Sequence, residues 1–179
     1  MTQASAAVPP ADKYENPFLD LNGALFTDGA MIHKKNDGRP TNLALVFFST
    51  KGSALISLKN IVTVESGATL TLTEIHAGDG AYFSNVFTHA NVGPNADFRH
   101  TRIQRESTDA FHVGGTVLRQ DRDSRALSLT ADFGGTLSRV DVAATLSAPG
   151  AICDVHGLYY SRDSQVLDHY TLIDHAREH

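Results

Sequence analysis

Small turn residues recur at a nearly constant spacing along the middle of the chain, and this spacing constrains the fold more than any other feature. The turns begin at Gly67, Gly93, Asp123 and Gly150, which are 26, 30 and 27 residues apart. A spacing of this size is typical of repeat proteins, in which each repeat forms one coil of a solenoid. Glycine and aspartate suit such turns because they tolerate a positive φ angle.

Between the turns, apolar residues alternate with polar ones, as expected for strands with one buried face. Leu70 and Leu72 show this pattern, and so do Val140 and Val142. We interpret each repeat as two or three strands of five or six residues, and the periodic region as residues 61–146. The pattern favours an all-β protein built as a parallel β-helix. An antiparallel sandwich or jelly roll also has short strands and frequent turns, so that alternative stays open.

Composition limits the class of protein. The chain has 179 residues, 41% hydrophobic and 20% charged, which fits one ordinary globular domain. A net charge of −5 without a basic cluster argues against nucleic acid as a partner. The single cysteine excludes an internal disulfide, and the longest apolar run, residues 43–48, is too short to cross a bilayer. No secretion signal opens the chain, so we expect a cytoplasmic protein.

The chain divides into two parts. Residues 1–17 are small, polar and proline-containing, and we expect a disordered lead or linker remnant. Residues 18–179 form the β-helix core, in which residues 18–31 open with a short helical turn that covers one end of the sheet stack. The apolar run at residues 43–50 is continuous, which predicts a strand buried on both faces. Helix content should be low.

Two later segments are unusual. In residues 99–106 neither face is cleanly apolar, because His100 and Arg102 share the side of Phe98. The last segment keeps strand composition as far as Ile173 and then stops without a polar cap. An uncapped coil exposes unpaired backbone groups, so we expect self-association or aggregation through that coil end.

Histidine is frequent, but its spacing does not indicate an enzyme. A cupin-type metal site needs His-x-His, which does not occur, so a small cupin-type metalloenzyme is the weaker alternative. His169, His175 and His179 would converge only on a helix, whereas their segment has strand composition. We expect most histidines to lie on the surface or in a polar core. There are nine: His33, His76, His89, His100, His112, His156, His169, His175 and His179.

Other candidate residues have structural explanations. In a strand, Asp154 and His156 lie on the face opposite Cys153, so a buried small hydrophobe is favoured over a thiolate site. The pairs Gly114-Gly115 and Gly134-Gly135 fit turns or bulges rather than ligand cradles. A carbohydrate-binding solenoid is a further alternative, with Tyr159-Tyr160 as the candidate platform in a chain without tryptophan. Nothing in the pattern indicates catalysis, and we expect no enzyme.

Three long segments resemble a known family. ENPFLDLNGALFTDGAMIH, ESTDAFHVGGTVLR and GLYYSRDSQVLDHYTLIDHAREH are similar to the SufB/SufD family of iron–sulfur cluster assembly proteins, and FTDGA and DAFHVGG place them on its SufD side. The resemblance covers residues 15–179. It implies a right-handed parallel β-helix and a non-catalytic scaffold role in a SufBCD-type complex of the SUF system. The partners that it implies are SufB and a SufC ATPase.

The resemblance also implies where a cofactor would lie. The family's iron–sulfur cluster belongs to the SufB–SufD interface, and we expect this chain to bind none by itself. It looks like a core fragment, without the N-terminal and C-terminal helical regions of the family and incomplete at its C-terminal end. Cys153, His169 and His175 lie nearest that end, and they are the candidate thiol and imidazole contributors.

Overall fold

Eleven strands and one short helix make up the part of the chain that the structure describes. The structure is a computed structural model, and it describes residues 14–50 and 54–177. In those residues no helix is long and apolar enough to cross a membrane. The elements are α1 (Pro17–Leu25), β1 (Met31–Lys34), β2 (Thr41–Ser49), β3 (Leu55–Val64), β4 (Thr69–Gly78), β5 (Phe83–Val92), β6 (Asp97–Arg105), β7 (Phe111–Gln120), β8 (Arg125–Asp132), β9 (Leu137–Leu146), β10 (Ile152–Tyr159) and β11 (Val166–His175).

The strands form two sheets of parallel strands, and successive strands along the chain belong alternately to one sheet and the other. Sheet A has the order β1-β3-β5-β7-β9-β11, and sheet B has the order β10-β8-β6-β4-β2. Each circuit of the chain therefore adds one strand to each sheet, which gives a β-solenoid of about five turns. The named strand pairs are all parallel, so the predicted parallel β-helix is confirmed. The antiparallel sandwich and jelly-roll alternatives, including a cupin fold, are wrong.

The register of the strands confirms the repeat length. Leu55, Phe83, Phe111, Leu137 and Val166 lie in one row across sheet A, with successive members 28, 28, 26 and 29 residues apart. Apart from β1, each strand has eight to ten residues. Each coil thus contains two long strands, not the two or three shorter strands that we predicted.

In the described residues, the turn after each of the sheet-A strands β1, β3, β5, β7 and β9 contains one residue in the left-handed conformation. Gly93 was predicted to open one of these turns and does so, directly after β5, but the positive φ angle lies two positions later, at Asn95. Gly93 is required for another reason, because a Cβ there would lie 2.9 Å from the carbonyl oxygen of Val64 in the preceding coil. The residues that take φ angles of 56° to 75° in these turns are Gly38, Gly67, Asn95, Asp123 and Gly150.

Alternation along the strands decides which side chains enter the lumen, the space between the two sheets. The second halves of the sheet-A strands and the first halves of the sheet-B strands fill one half of the lumen with apolar side chains. Leu70, Leu72 and Phe98 are fully buried there. The other half of the lumen is polar, although it is equally buried.

Helix α1 lies on the outer face of sheet A. The side chain of Asn16 caps its first turn, and Pro17 follows where a missing N–H costs nothing. Asn22 is fully buried and donates from Nδ2 to the carbonyl oxygens of Leu58 at 2.9 Å and Asn85 at 3.0 Å. The helix therefore covers a face of the solenoid, and the prediction that this segment covers one end is wrong.

Residues 14–17 are folded against the solenoid, although we predicted that they belong to the lead. Residues 1–13 of the expected lead lie outside the described residues. Tyr14 and Asn16, however, are 6% and 7% exposed, and both donate hydrogen bonds to Asp141 on β9. A buried carboxylate requires such donors, so residues 14–17 belong to the folded core.

Strand β2 also differs from the prediction. It is the outermost strand of sheet B in the described residues, and the outward side chains of Val46 and Phe48 are 63% and 62% exposed. Leu45 on the inward side packs against the apolar core. The continuous apolar run has two causes: one set of side chains enters the lumen, and the other set belongs to an apolar outer surface.

Candidate functional site

Ionisable and amide side chains fill the half of the lumen opposite the apolar core. They occupy inward positions from the middle to the end of the sheet-B strands and from the start to the middle of the sheet-A strands, and Glu106 follows directly after β6. All except His169 are less than 10% exposed. We call this set the lumen cluster: Asn60, Glu74, His76, Thr88, His100, Arg102, Gln104, Glu106, His112, Asp132, Ser138 and His169.

Glu74 joins three coils within the lumen cluster. Its Oε1 accepts a 2.6 Å hydrogen bond from Oγ1 of Thr88 and a 3.4 Å bond from Nδ2 of Asn60. Nε2 of His76 lies 3.4 Å from Oε2. Nε2 of His100 lies 3.4 Å from Oε1, close enough for a charge contact but without the geometry of a hydrogen bond. Four partners on four strands therefore surround one carboxylate.

The charge state of this region follows from burial and from its neighbours. Burial by itself would raise the pKa of Glu74, but the imidazoles of His100 and His76 and the guanidinium of Arg102 outweigh it, so the pKa lies well below its usual value. Burial lowers the pKa of His76 to about 4, and the charge of Arg102 adds to this effect. At neutral pH, Glu74 is ionised and His76 is neutral.

Arg102 supplies the positive charge opposite the buried carboxylates. It is fully buried on β6, donates from Nη1 to the carbonyl oxygen of Gly115 at 3.2 Å, and donates from Nη2 to that of Val86 at 3.1 Å. Gly114 makes room for it, because a Cβ there would lie 2.2 Å from the oxygen of Val86 and 2.8 Å from Nη2 of Arg102. Gly114 and Gly115 lie within β7, so their assignment to a turn or bulge is wrong.

A second buried carboxylate follows β6. Nδ1 of His112 contacts Oε2 of Glu106 at 2.7 Å, and Nε2 of Gln104 donates to the same oxygen at 3.4 Å. Burial would raise the pKa of Glu106, but its contact with His112 lowers it by more, so the pKa lies below its usual value. Oε1 of Gln104 accepts from the backbone N–H of Gly134 at 2.8 Å, which ties this coil to the next.

Asp132 and His169 continue the lumen cluster into the last described coil. Oδ2 of Asp132 accepts a 3.2 Å hydrogen bond from Ser138 and lies 2.9 Å from Nε2 of His169. The ring of Tyr159 meets His169 edge-on at 5.5 Å. Gly157 lies beside the other ring nitrogen, where a Cβ would be 2.6 Å from Nδ1. A carboxylate that holds one imidazole nitrogen and leaves the second available is typical of metal-binding histidines.

The structure does not bring the three candidate residues together. Cys153 lies at the start of β10 and packs against the apolar core, and burial together with the charge of Asp154 raises the pKa of its thiol to about 11. His169 lies in the polar half of the lumen. His175 is exposed at the end of β11, in register with Leu146. In residues 14–50 and 54–177, no group of three or more His, Cys, Asp or Glu residues is placed to hold a metal ion.

Except for His169, the sequence analysis did not identify the lumen cluster as a site. Its signal was present in residues 99–106, where His100, Arg102, Gln104 and Glu106 recur with the period of a strand. Because these inward positions are polar, that segment has no clean apolar face. The polar-core role predicted for histidine is confirmed at three buried positions, His76, His100 and His112, whereas His89 is buried on the outward side of β5, in register with Val117.

Comparison with known proteins places this solenoid in a family. Residues 47–179 match the family model described as "SUF system FeS cluster assembly, SufBD core domain". The chain is 26% identical over 169 residues to an iron–sulfur cluster assembly SufBD family protein of Synechocystis sp., which covers 87% of this chain and 37% of that protein. It is 23% identical over 167 residues to the iron–sulfur cluster assembly protein SufD of Escherichia coli (strain K12), with 89% and 40% covered.

A plant protein is also similar. Protein ABCI7, chloroplastic, of Arabidopsis thaliana is 27% identical over 121 residues, which is 65% of this chain and 26% of that protein. The chain spans less than half the length of each of these relatives. No solved structure matches the chain. Since the family model covers well over half of its residues, the chain belongs to the SufBD core-domain family of SUF-system iron–sulfur cluster assembly proteins.

Proposed function

We propose that this chain is a non-catalytic scaffold component of a SUF-type iron–sulfur cluster assembly complex, in which it pairs with a SufB-type subunit and a SufC-type ATPase. The observation that carries the proposal is the match of residues 47–179 to the SufBD core domain. The fold supports it, because a solenoid whose lumen is packed with its own side chains offers outer surfaces to partners. The single cysteine, Cys153, fits a reducing cytoplasm.

The pairing surface that we propose for the SufB-type subunit is the edge formed by β10 and β11. These are the outermost strands of sheet B and sheet A in the described residues. The edge of a sheet pairs readily with a strand of another chain, because its backbone N–H and C=O groups are available. Tyr159 and Ile173, at 56% and 38% exposure, add apolar area beside this edge. A second copy of the chain could use the same edge.

His169 is the candidate that we propose as a contributor to the cluster, which is the cargo of the complex. It lies in the last described coil, its side chain is 15% exposed, and Asp132 holds its Nε2. Cys153 is less suited, because a raised thiol pKa disfavours the thiolate that binds iron. His175 lies on the same strand as His169 but in the other half of the lumen.

The carbohydrate-binding alternative is not favoured by the structure. Tyr159 and Tyr160 are neighbours in an extended segment, so their rings point to opposite faces. Tyr159 contacts His169, and the guanidinium of Arg162 lies over the ring of Tyr160 at 5.3 Å. The two rings therefore form no shared platform for a sugar.

Co-purification tests the scaffold proposal. The chain would be expressed with SufB-type and SufC-type subunits, and the isolated complex analysed for subunit content, iron and acid-labile sulfide. We expect a stable complex of all three chains, with iron reduced in His169→Ala and unchanged in Asp168→Ala, a control on the outward side of β11. Failure of the chain to co-purify with either subunit would overturn the scaffold proposal. Equal iron content in the two variants would overturn the role of His169 alone.

A further inference from the structure

A continuous ladder of apolar side chains crosses the outer face of sheet B. One residue of each strand contributes to it, and strand register aligns the five residues in a single row. Val46 and Leu158 at its ends are 63% and 55% exposed. We call this row the sheet-B ladder: Val46, Ile75, Ile103, Ala131 and Leu158.

The rows on either side of the sheet-B ladder are largely apolar as well. Toward the strand ends the next row is Phe48, Ala77, Arg105, Phe133 and Tyr160. Toward the strand starts it is Ala44, Thr73, Thr101, Leu129 and His156. Charged residues concentrate in the next two rows toward the strand starts. They are Asp97, Arg99, Arg125 and Asp154. An apolar centre with a charged rim is the usual anatomy of a protein interface.

The two outer faces of the solenoid differ in how they are covered. On sheet A, helix α1 contacts β3, β5 and β7. On sheet B, the outward side chains of Phe48 and Tyr160 remain 62% and 57% exposed in the part of the chain that the structure describes. We call the sheet-B ladder and its two flanking rows the apolar band, and an exposed apolar band of this extent is characteristic of a surface that binds a partner.

We propose that two copies of this chain associate face to face through sheet B, about a twofold axis that runs along the sheet-B ladder. The proposal is independent of the scaffold function and of the β10–β11 edge. Rotation about this axis places each ladder residue against its own copy, so the two apolar rows meet along their whole length, and the same patch is used on both copies as in any twofold interface. It also places Phe48 against the partner's Ala44 and Arg105 against the partner's Thr101, so a large side chain meets a small one in both pairs. On β8 and after β10, Phe133 meets the partner's Leu129 and Tyr160 meets the partner's His156, and no like charges face each other in these rows.

The orientation of the axis follows from the charged residues. A twofold axis parallel to the strands would also stack the two sheets, but it would set Arg105 against Arg105 and Arg99 against Arg99 of the second copy. Like charges in direct opposition disfavour association. The axis along the sheet-B ladder instead leaves Arg99 at the rim, where it stays in water.

The size of the band predicts a reversible dimer. Five strands about 4.8 Å apart and rows about 6.8 Å apart give a footprint of roughly 500 Å² per copy. The total of about 1,000 Å² lies at the lower limit for a specific interface. A face of this size fits an association in the micromolar range rather than a permanent dimer.

Sedimentation velocity tests the proposal on the 179-residue chain. Over about 1 to 200 µM, where such an interface dissociates, we expect a monomer–dimer equilibrium. Ile103→Asp and Val46→Lys should each raise the dissociation constant by about tenfold or more, because each places a charge in the apolar centre. Thr71→Asp, an outward change on the same sheet outside the band, should leave it unchanged. A monomer at every concentration, or a dimer that neither variant weakens, would overturn the proposal.

Cross-linking tests the axis itself. In a Cys153→Ser background, Ile103→Cys should yield a disulfide-linked dimer under mild oxidation, because the axis passes beside position 103. Thr71→Cys should not form a disulfide-linked dimer, because rotation about the axis places the two copies of residue 71 far apart. Efficient cross-linking of the Thr71 variant without that of the Ile103 variant would refute this arrangement. Association through the β10–β11 edge would leave both variants uncross-linked.

Discussion

Nη2 of Arg102 donates a hydrogen bond to Nε2 of His112 at 3.0 Å, and this contact fixes the position of the proton on the imidazole. A guanidinium only donates, so Nε2 of His112 accepts and its proton lies on Nδ1. Nδ1 in turn faces Oε2 of Glu106 at 2.7 Å. Three residues of β6, β7 and the turn between them therefore form one directed chain of hydrogen bonds.

Arg102 should contribute strongly to stability because it balances buried carboxylates. Arg102→Met would leave Glu74 and Glu106 without their positive neighbour, and we expect a loss of about 3–5 kcal/mol in the free energy of unfolding. Urea denaturation measures it. The matched control is Arg99→Met on the same strand, because the side chain of Arg99 is 63% exposed and its loss should cost about 0.5 kcal/mol or less. Equal losses in the two variants would contradict the proposed role of the lumen cluster.

Gly114 should tolerate no side chain. Gly114→Ala would press a methyl group against the carbonyl oxygen of Val86 and the guanidinium of Arg102, and we expect a loss of about 1–3 kcal/mol or more. Gly23→Ala is the control, because Gly23 lies in α1 with nothing within 4 Å of the added Cβ. That change should stabilise the helix by about 1 kcal/mol. Thermal denaturation of both variants should give opposite signs, and matching signs would argue against the packing described for β7.

The free energy of unfolding should fall in two stages as the pH is lowered. The pKa of His76 and that of His89 are lowered to about 4, mainly by burial, from an unfolded value of 6.5. The unfolded chain therefore binds protons first, and stability that is full above pH 6.5 is lost as the pH falls toward 4. Glu74 and Glu106 have lowered pKa values, so their contribution is lost only below the unfolded value of 4.5. Urea midpoints measured from pH 7.5 down to about 2 should show both stages, the histidine stage above about pH 4 and the carboxylate stage below about pH 4.5.

His89 allows the first stage to be tested separately. It is 5% exposed, and neither of its ring nitrogens has a hydrogen-bond partner in the described residues. His89→Gln cannot titrate, so the loss between pH 7 and 5 should shrink by on the order of 1–2 kcal/mol. The exposed His156 provides the control, and His156→Gln should keep the full slope. An unchanged slope in the His89 variant would contradict the buried neutral imidazole.

Asp141 should hold the N-terminal segment on sheet A. Its carboxylate accepts hydrogen bonds from Tyr14 at 2.7 Å, Asn16 at 2.8 Å and Arg139 at 3.0 Å. Burial and the contact with Asp141 raise the pKa of Tyr14, so its hydroxyl remains a donor. Asp141→Ala should cost about 2–3 kcal/mol, because it leaves these donors unpaired.

Hydrogen exchange locates the effect of that change. In Asp141→Ala we expect faster exchange of residues 14–25, with the amides of β5 and β7 still protected. Asp168→Ala removes only the exposed 3.2 Å pair with Arg139 and should leave the segment as it was. Uniform faster exchange across all strands would mean that Asp141 stabilises the solenoid as a whole.

Local pattern predicted some features of the solenoid and missed others. Spacing identified the turns at Gly67, Gly93, Asp123 and Gly150, but it did not show that Asn95 rather than Gly93 takes the positive φ angle. Both residue types suit a turn, and the choice between them depends on the carbonyl oxygen of Val64 in the neighbouring coil. The run in β2 was equally ambiguous, because a strand buried on both faces and an edge strand with an apolar outer surface have the same sequence pattern.

The amino-acid sequence alone determined the length of the coil, because backbone turns need residues that accept positive φ angles and those residues recur at the pitch of the solenoid. It also determined which side chains alternate inward and outward, since a strand has a period of two. Only the tertiary structure decided that Glu74, Arg102, Glu106 and Asp132 share one lumen, because contacts between coils join residues that local periodicity cannot relate. The tertiary structure also decided that His169 lies beside Asp132, while Cys153 and His175 lie in the apolar half of the lumen. The reason is that the strand register across three coils sets which inward positions meet.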